Sequence, residues 1–210
     1  MRPRDGQVVL RDGTSVAYDD RGPTDAPPVL FVHAWAESLG AFDPVVSRLP
    51  PDLRVLGFDQ RGHGRSDRPR SGYDLASLSA DCLDFLDRRG VASAYVVGSS
   101  SGGYVAQQLA VSAPDRVRGL VLVGAPHDLE HVPAMADEVM GWTDPIPPET
   151  IRAFNAALQL KGDVPADYLE ARVEDGLALP AAVWQAALRG LTSSPRPTRD
   201  AVIDLSLIHI

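Results

Sequence analysis

Apolar positions in the first part of this chain alternate between two textures: short unbroken runs and stretches with helical spacing. Val29-Leu30-Phe31-Val32, Arg54-Val55-Leu56-Gly57-Phe58, Ala94-Tyr95-Val96-Val97 and the run Val117 to Val123 have strand length and many β-branched residues. Such runs suit strands covered on both faces. Between them, Leu39, Phe42, Val45, Val46 and Leu49 keep a helical period, and Pro50-Pro51 closes it. Leu75, Leu78, Cys82, Phe85 and Leu86 repeat that period, with Gly90 as the stop. Cys82 on this face reads as a core residue. Gly103 to Ala110 reads as another helix, ending near Pro114. At the start, Gln7-Val8-Val9-Leu10 and Thr14-Ser15-Val16-Ala17-Tyr18 flank Arg11-Asp12-Gly13, which predicts a hairpin over residues 7–19. Strands alternating with helices predict a mostly parallel sheet with helices on both faces. Ligands then bind at the carboxyl ends of the strands.

From about residue 127 to 200 the strand-like runs stop and prolines become frequent. Ile151 to Leu160 and Ala181 to Leu191 read as helices, and Pro165-Ala166-Asp167-Tyr168-Leu169 begins another. Trp142, Phe154, Tyr168 and Trp184 read as core of this helical region, with pocket lining as the alternative for each.

Composition narrows the partners. The 210 residues are 44% hydrophobic and 23% charged, with a formal net charge of −8. The single basic cluster, Arg61, His63, Arg65, Arg68 and Arg70, is interleaved with Asp59 and Asp67. This balance speaks against a nucleic-acid or anionic-membrane partner. One cysteine allows no disulfide within the chain and no cysteine metal motif. The N-terminal residues lack the apolar centre of a signal peptide, and no run has transmembrane length, so the expected location is the cytoplasm.

The candidate chemistry lies in Gly98-Ser99-Ser100-Ser101-Gly102. Only Ser100 fits the frame G-x-S-x-G. The motif follows a predicted strand and opens a predicted helix, the setting of a nucleophile elbow. Free N–H groups and the helix dipole favour negative charge there. The alternative is a flexible or phosphate-binding loop. A serine nucleophile also needs a base and a group to orient that base.

With that motif in that setting, the chain from about residue 7 to residue 126 resembles the α/β-hydrolase-fold family, in its serine-nucleophile branch. The resemblance implies a core over residues 1–126 and a helical cap over 127–200, inserted after the sixth strand. Residues 201–210 would be the start of the returning core or a non-native tail. It implies Ser100 as nucleophile, with an oxyanion hole formed by the backbone N–H groups of Ser101 and Trp35. The family usually has His-Gly where this chain has His33-Ala34, an exchange that restricts the loop backbone. His33 is expected to tie loops together. Asp59-Gln60-Arg61-Gly62-His63-Gly64-Arg65-Ser66 resembles the family's D-x-R-G-x-G-x-S loop, with Asp59 and Arg61 expected to pair and brace it.

In this family the order is serine, acid, histidine. The histidines here are His33, His63, His127, His131 and His209, and none follows a plausible eighth strand. The catalytic histidine is therefore expected beyond residue 210. The acid is unassigned, Asp128 being the alternative position after the sixth strand. Leu205 to Ile210 resembles vector read-through, with native strand sequence as the alternative. The chain is accordingly expected to be an incomplete, inactive fragment of a serine hydrolase. The implied substrate is a small ester, lactone or related acyl compound. No metal, no organic cofactor and no partner beyond a small-molecule substrate is implied, and the oligomeric state is open. Serine at the nucleophile position speaks against epoxide hydrolases and haloalkane dehalogenases. Carbon–carbon bond hydrolases, haloperoxidase-like perhydrolases, hydroxynitrile lyases and peptidases share the scaffold. A non-catalytic ligand-binding or signalling protein is the alternative from another class.

Overall fold

The computed structural model describes residues 5–125, 133–158, 163–194 and 207–209. Among these, seven strands form one sheet. They are β1 (Gly6–Val9), β2 (Ser15–Arg21), β3 (Pro28–Val32), β4 (Arg54–Phe58), β5 (Ala94–Ser99), β6 (Val117–Val123) and β7 (Leu207–His209). The spatial order is β1-β2-β4-β3-β5-β6-β7. The hairpin β1–β2 is antiparallel with Val8 opposite Val16, and β2 joins β4 antiparallel, Tyr18 opposite Phe58. From β4 onward every pairing is parallel, including Leu120 opposite Leu207.

Strand period explains the two-sided burial. On β3, Leu30 and Val32 face the main core, while Val29 and Phe31 face the opposite side. The main core packs Leu56, Phe58 and Val96 against two helices, α2 (Leu75–Arg88) and α3 (Ser101–Ser112). Cys82 of α2 is fully buried, and burial pushes its thiol pKa up, which makes it inert packing. The start of α2 is capped by Asp74, whose carboxylate accepts from Ser77 N–H at 2.9 Å. Its end is a Schellman turn. Val91 N–H donates to Leu86 O at 2.9 Å and Gly90 N–H to Asp87 O at 3.1 Å, with Gly90 at φ +65°.

The helix predicted over residues 39–49 is not continuous. A 3₁₀ turn, Leu39–Phe42, is followed by a four-residue helix, α1 (Asp43–Val46). Pro44 is the cause: inside a longer helix it would remove an N–H and its ring would clash with the carbonyl of Gly40. The period therefore breaks, and Val45, expected in the core, is 52% exposed. Leu39 and Phe42 still cover Phe31.

Among the described residues, four helices follow β6: α4 (Pro133–Met140), α5 (Pro148–Leu158), α6 (Ala166–Leu177) and α7 (Ala181–Ser193). They share a second core that includes Val139, Ile151, Phe154, Val173, Leu188 and the fully buried Trp184. The Trp184 indole N–H donates to Gly176 O at 3.0 Å, so its polar atom is satisfied where no water reaches. Among the described residues no helix is long and apolar enough to cross a membrane.

Candidate active site

β5 ends at Ser99 and α3 begins at Ser101, which leaves Ser100 alone in the turn between them. Its backbone has φ 48° and ψ −119°. Only one other described non-glycine residue, Ala36 at φ 66°, has positive φ. This region is costly for an L residue. The turn holds because its surroundings fix it. Ser100 N–H donates to Val123 O at 2.8 Å, and Gly103 N–H donates to Ser100 O at 2.9 Å. The flanking glycines are steric requirements. A Cβ at Gly98 would lie 2.6 Å from Gly102 O, and one at Gly102 would lie 2.3 Å from Val32 O. Both obstacles are backbone, which cannot move aside without moving β3 or α3.

Two neighbouring loops meet this turn. The loop after β3 carries His33, Ala34, Trp35 and Ala36. Ala34 has ordinary negative φ, so the extra methyl is accommodated, and the positive φ of this loop falls on Ala36 instead. The Trp35 ring packs edge-on to Phe154 and Trp184 at centroid distances of 5.4 and 5.1 Å. The loop after β3 is thus keyed into the core of helices α5 and α7. A second tie is polar. Asp175 on α6 accepts from Ser38 N–H and Ser38 Oγ, both at 3.1 Å, and pairs with Arg172 at 2.8 Å.

Trp35 N–H and Ser101 N–H are the two backbone donors expected to face the oxyanion. Ser101 is the first residue of α3, so its N–H has no carbonyl four residues back within the helix. Trp35 N–H donates to Ser101 Oγ at 2.6 Å, which brings the two residues into direct contact across the site. Of the aromatic residues expected in the helical region, Phe154 and Trp184 pack on Trp35, and Trp142 packs on both at 6.0 and 5.0 Å. Tyr168 lies elsewhere: its ring stacks under Arg172 at 5.0 Å.

The two described imidazoles are structural. His33 Nε2 accepts from Gln60 N–H at 2.9 Å, and its Nδ1–H donates to Ala34 O at 2.8 Å, which occupies both nitrogens. His63 is buried, and its Nδ1–H donates to Arg61 O at 2.9 Å. Burial pushes the His63 pKa down from 6.5 to about 4, opposed by the Arg61 carbonyl and by Asp59. Between pH 6.5 and 4 the unfolded chain therefore takes up a proton that the folded chain refuses. His63 stabilises the fold fully above pH 6.5 and loses that contribution as pH falls towards 4, up to about 3 kcal/mol. Replacing His63 by Gln is expected to flatten the melting temperature across that window, read by thermal denaturation at each pH.

The expected pairing of Asp59 with Arg61 takes a different form. Arg61 binds Asp81 through Nε at 2.6 Å and Nη2 at 2.5 Å, and reaches Asp12 at 2.7 Å. Asp59 instead accepts from backbone N–H groups, Leu39 at 2.8 Å and Arg65 at 3.0 Å. The reason is position: Asp81 on α2 and Asp12 in the hairpin both face Arg61, while Asp59 lies just after β4 beside the backbone N–H groups of Leu39 and Arg65.

Asp128, His127 and His131 lie outside the described residues. His209 lies within β7. Among the described residues, no three His, Cys, Asp or Glu side chains converge as metal ligands. A cavity of about 460 Å³ lies between Arg21, Val46, Pro50 and Val55 and includes none of the site residues.

Residues 27–170 match the family described as alpha/beta hydrolase fold. The chain belongs to that family. A non-heme chloroperoxidase from Streptomyces lividans is 38% identical over 157 residues, 73% of this chain and 54% of the relative. A bifunctional esterase/perhydrolase from Acinetobacter calcoaceticus is 33% identical over 168 residues, 77% of this chain and 59% of the relative. This hydrolase-fold chain thus spans between half and three-fifths of the length of these two curated relatives. Among solved structures, an esterase from Rhodococcus sp. ECU1013 superposes with a TM-score of 0.81 at 27% identity, covering 97% of this chain and 79% of that one.

Proposed function

We propose that the protein is a serine hydrolase of small esters, lactones or related acyl compounds, with Ser100 as nucleophile. The observation that carries this reading is the Ser100 backbone, φ 48° and ψ −119°, at a strand-to-helix turn that two sterically required glycines permit. A strained serine at the carboxyl edge of a parallel sheet has no packing purpose; it presents its hydroxyl. The names of the relatives, an esterase/perhydrolase and a 3-oxoadipate enol-lactonase among them, agree with a small acyl substrate.

Ser100 Oγ attacks the substrate carbonyl carbon while a histidine base takes the hydroxyl proton. The base is neither His33, whose ring nitrogens are both engaged, nor His63, which holds the loop after β4. The carbonyl oxygen becomes negative in the tetrahedral intermediate, and the N–H groups of Trp35 and Ser101 hold it, aided by the N-terminal dipole of α3. Collapse expels the alcohol, which carries away the proton from the base. Water then repeats the attack on the acyl group and frees Ser100. Trp35, packed between Phe154 and Trp184, forms a wall at the side of the helical region.

Reaction of the full-length protein with a fluorophosphonate tests the reading. Rapid labelling that Ser100→Ala abolishes is the expected result. Labelling that survives this substitution, or no labelling at all, sinks the nucleophile assignment.

A further inference from the structure

One donor of the oxyanion site is already in use. An oxyanion bound by Trp35 N–H must sit roughly 2.7–3.1 Å from the Trp35 nitrogen. Ser101 Oγ occupies that place, at 2.6 Å. The side chain of the residue after the nucleophile therefore stands where the substrate oxygen has to go.

A second group close by lacks what Ser101 could supply. Because a carbonyl only accepts, the bond from His63 to Arg61 O puts the ring proton on Nδ1 and leaves Nε2 as an acceptor. Nε2 is buried and has no hydrogen-bond partner. An unpaired buried acceptor is unfavourable. His63 and Ser101 line the same small cavity of about 20 Å³, which Trp35, Tyr73 and Gly102 also wall. A serine hydroxyl is a donor that turns about a single bond between staggered positions.

We propose that Ser101 Oγ is a built-in occupant of the oxyanion site, displaced by the substrate oxygen and received by His63 Nε2. The inference rests on Ser100 being the nucleophile. The exchange loses no hydrogen bond within the protein's site and satisfies one further acceptor. Trp35 N–H passes from Ser101 Oγ to the substrate oxygen, and the Ser101 hydroxyl donates to Nε2. Before substrate arrives, the site is filled by an oxygen of the protein. On displacement, the orphaned acceptor on His63 is satisfied. Ser101 thus has two roles: its N–H binds the oxyanion and its side chain vacates the place. His63 is a positioning residue, since it acts through Ser101.

Two measurements on the full-length protein test this. The first is the second-order rate of fluorophosphonate labelling in a double-mutant cycle. With Ser101 present, His63→Phe removes the receiving acceptor and is expected to slow labelling about fivefold, the factor of one ordinary net hydrogen bond. In the Ser101→Ala background the same substitution is expected to cost less than twofold, because no hydroxyl needs a receiver. Equal losses in both backgrounds would mean that His63 only supports the loop, and the proposal falls. The second is the crystal structure of the wild-type protein phosphorylated by paraoxon. A phosphoryl oxygen on Trp35 N and Ser101 Oγ within hydrogen-bond distance of His63 Nε2 are expected. Ser101 Oγ still on Trp35 N in the adduct would overturn the proposal, even if His63→Phe does not fold. A label retained by Ser100→Ala strikes at the nucleophile assignment and is distinguishable from both outcomes.

Discussion

Ser100→Gly is expected to remove turnover of p-nitrophenyl acetate by the full-length protein while raising its melting temperature. The loss follows from the missing nucleophile, on the order of 10³- to 10⁶-fold in kcat. The gain follows from the backbone. Ser100 sits at φ 48° and ψ −119°, a region that costs an L residue about 1–3 kcal/mol and that glycine enters freely. Part of that is returned, because glycine makes the unfolded chain more flexible by about 0.5–1 kcal/mol. A net gain of about 1 kcal/mol corresponds to roughly 2–4 °C for a chain of this size. A marked drop in melting temperature would show that the elbow is not strained. Retained turnover would show that Ser100 is not the nucleophile.

Asp81→Ala is expected to be the most damaging single change away from the site. Asp81 and Arg61 are both buried, joined by two bonds of 2.6 and 2.5 Å, and among the described residues only Asp12 offers Arg61 a second carboxylate. Removing Asp81 leaves the buried guanidinium with only the half-exposed Asp12 as partner, at a cost approaching the roughly 3–5 kcal/mol of an uncompensated buried charge. That is a large fraction of a typical domain's total stability of roughly 5–15 kcal/mol. The pair itself is not the source of much stability. Burial pushes the Asp81 pKa up despite the adjacent guanidinium, a sign that desolvation outweighs the attraction at this carboxylate. The double variant Asp81→Leu with Arg61→Met is therefore expected to recover most of the loss. Urea denaturation midpoints measure both. A cost for Asp81→Ala below about 1 kcal/mol, the range of an exposed pair, would contradict this.

What the sequence made legible has a physical basis in local pattern. The runs at β3, β4, β5 and β6 read as strands because continuous β-branched apolar residues leave few other options. The elbow read as a turn because glycine at positions 98 and 102 answers steric demands that are local to that turn. Non-local pairings were not readable. Arg61 pairs with Asp81, 20 residues on, and with Asp12, 49 residues back, and nothing in the spacing selects them over Asp59. The contact of Trp35 N–H with Ser101 Oγ spans 66 residues and exists only once β3 and β5 lie side by side. The helical period over residues 39–49 misleads because Pro44 breaks the helix by itself, whatever the apolar spacing around it. Helix α4 is not legible, since Pro133 to Met140 is only 8 residues long, about two turns, too short to set a period.

The central claim is that the turn between β5 and α3 presents Ser100, and not either neighbouring serine, to an acyl carbon. Peptide-level mass spectrometry of the fluorophosphonate adduct of the full-length protein tests it most directly. The account predicts a single modified residue, Ser100, in the peptide spanning Gly98 to Gly102. A label on Ser99 or Ser101, or on a serine outside this peptide, would contradict it.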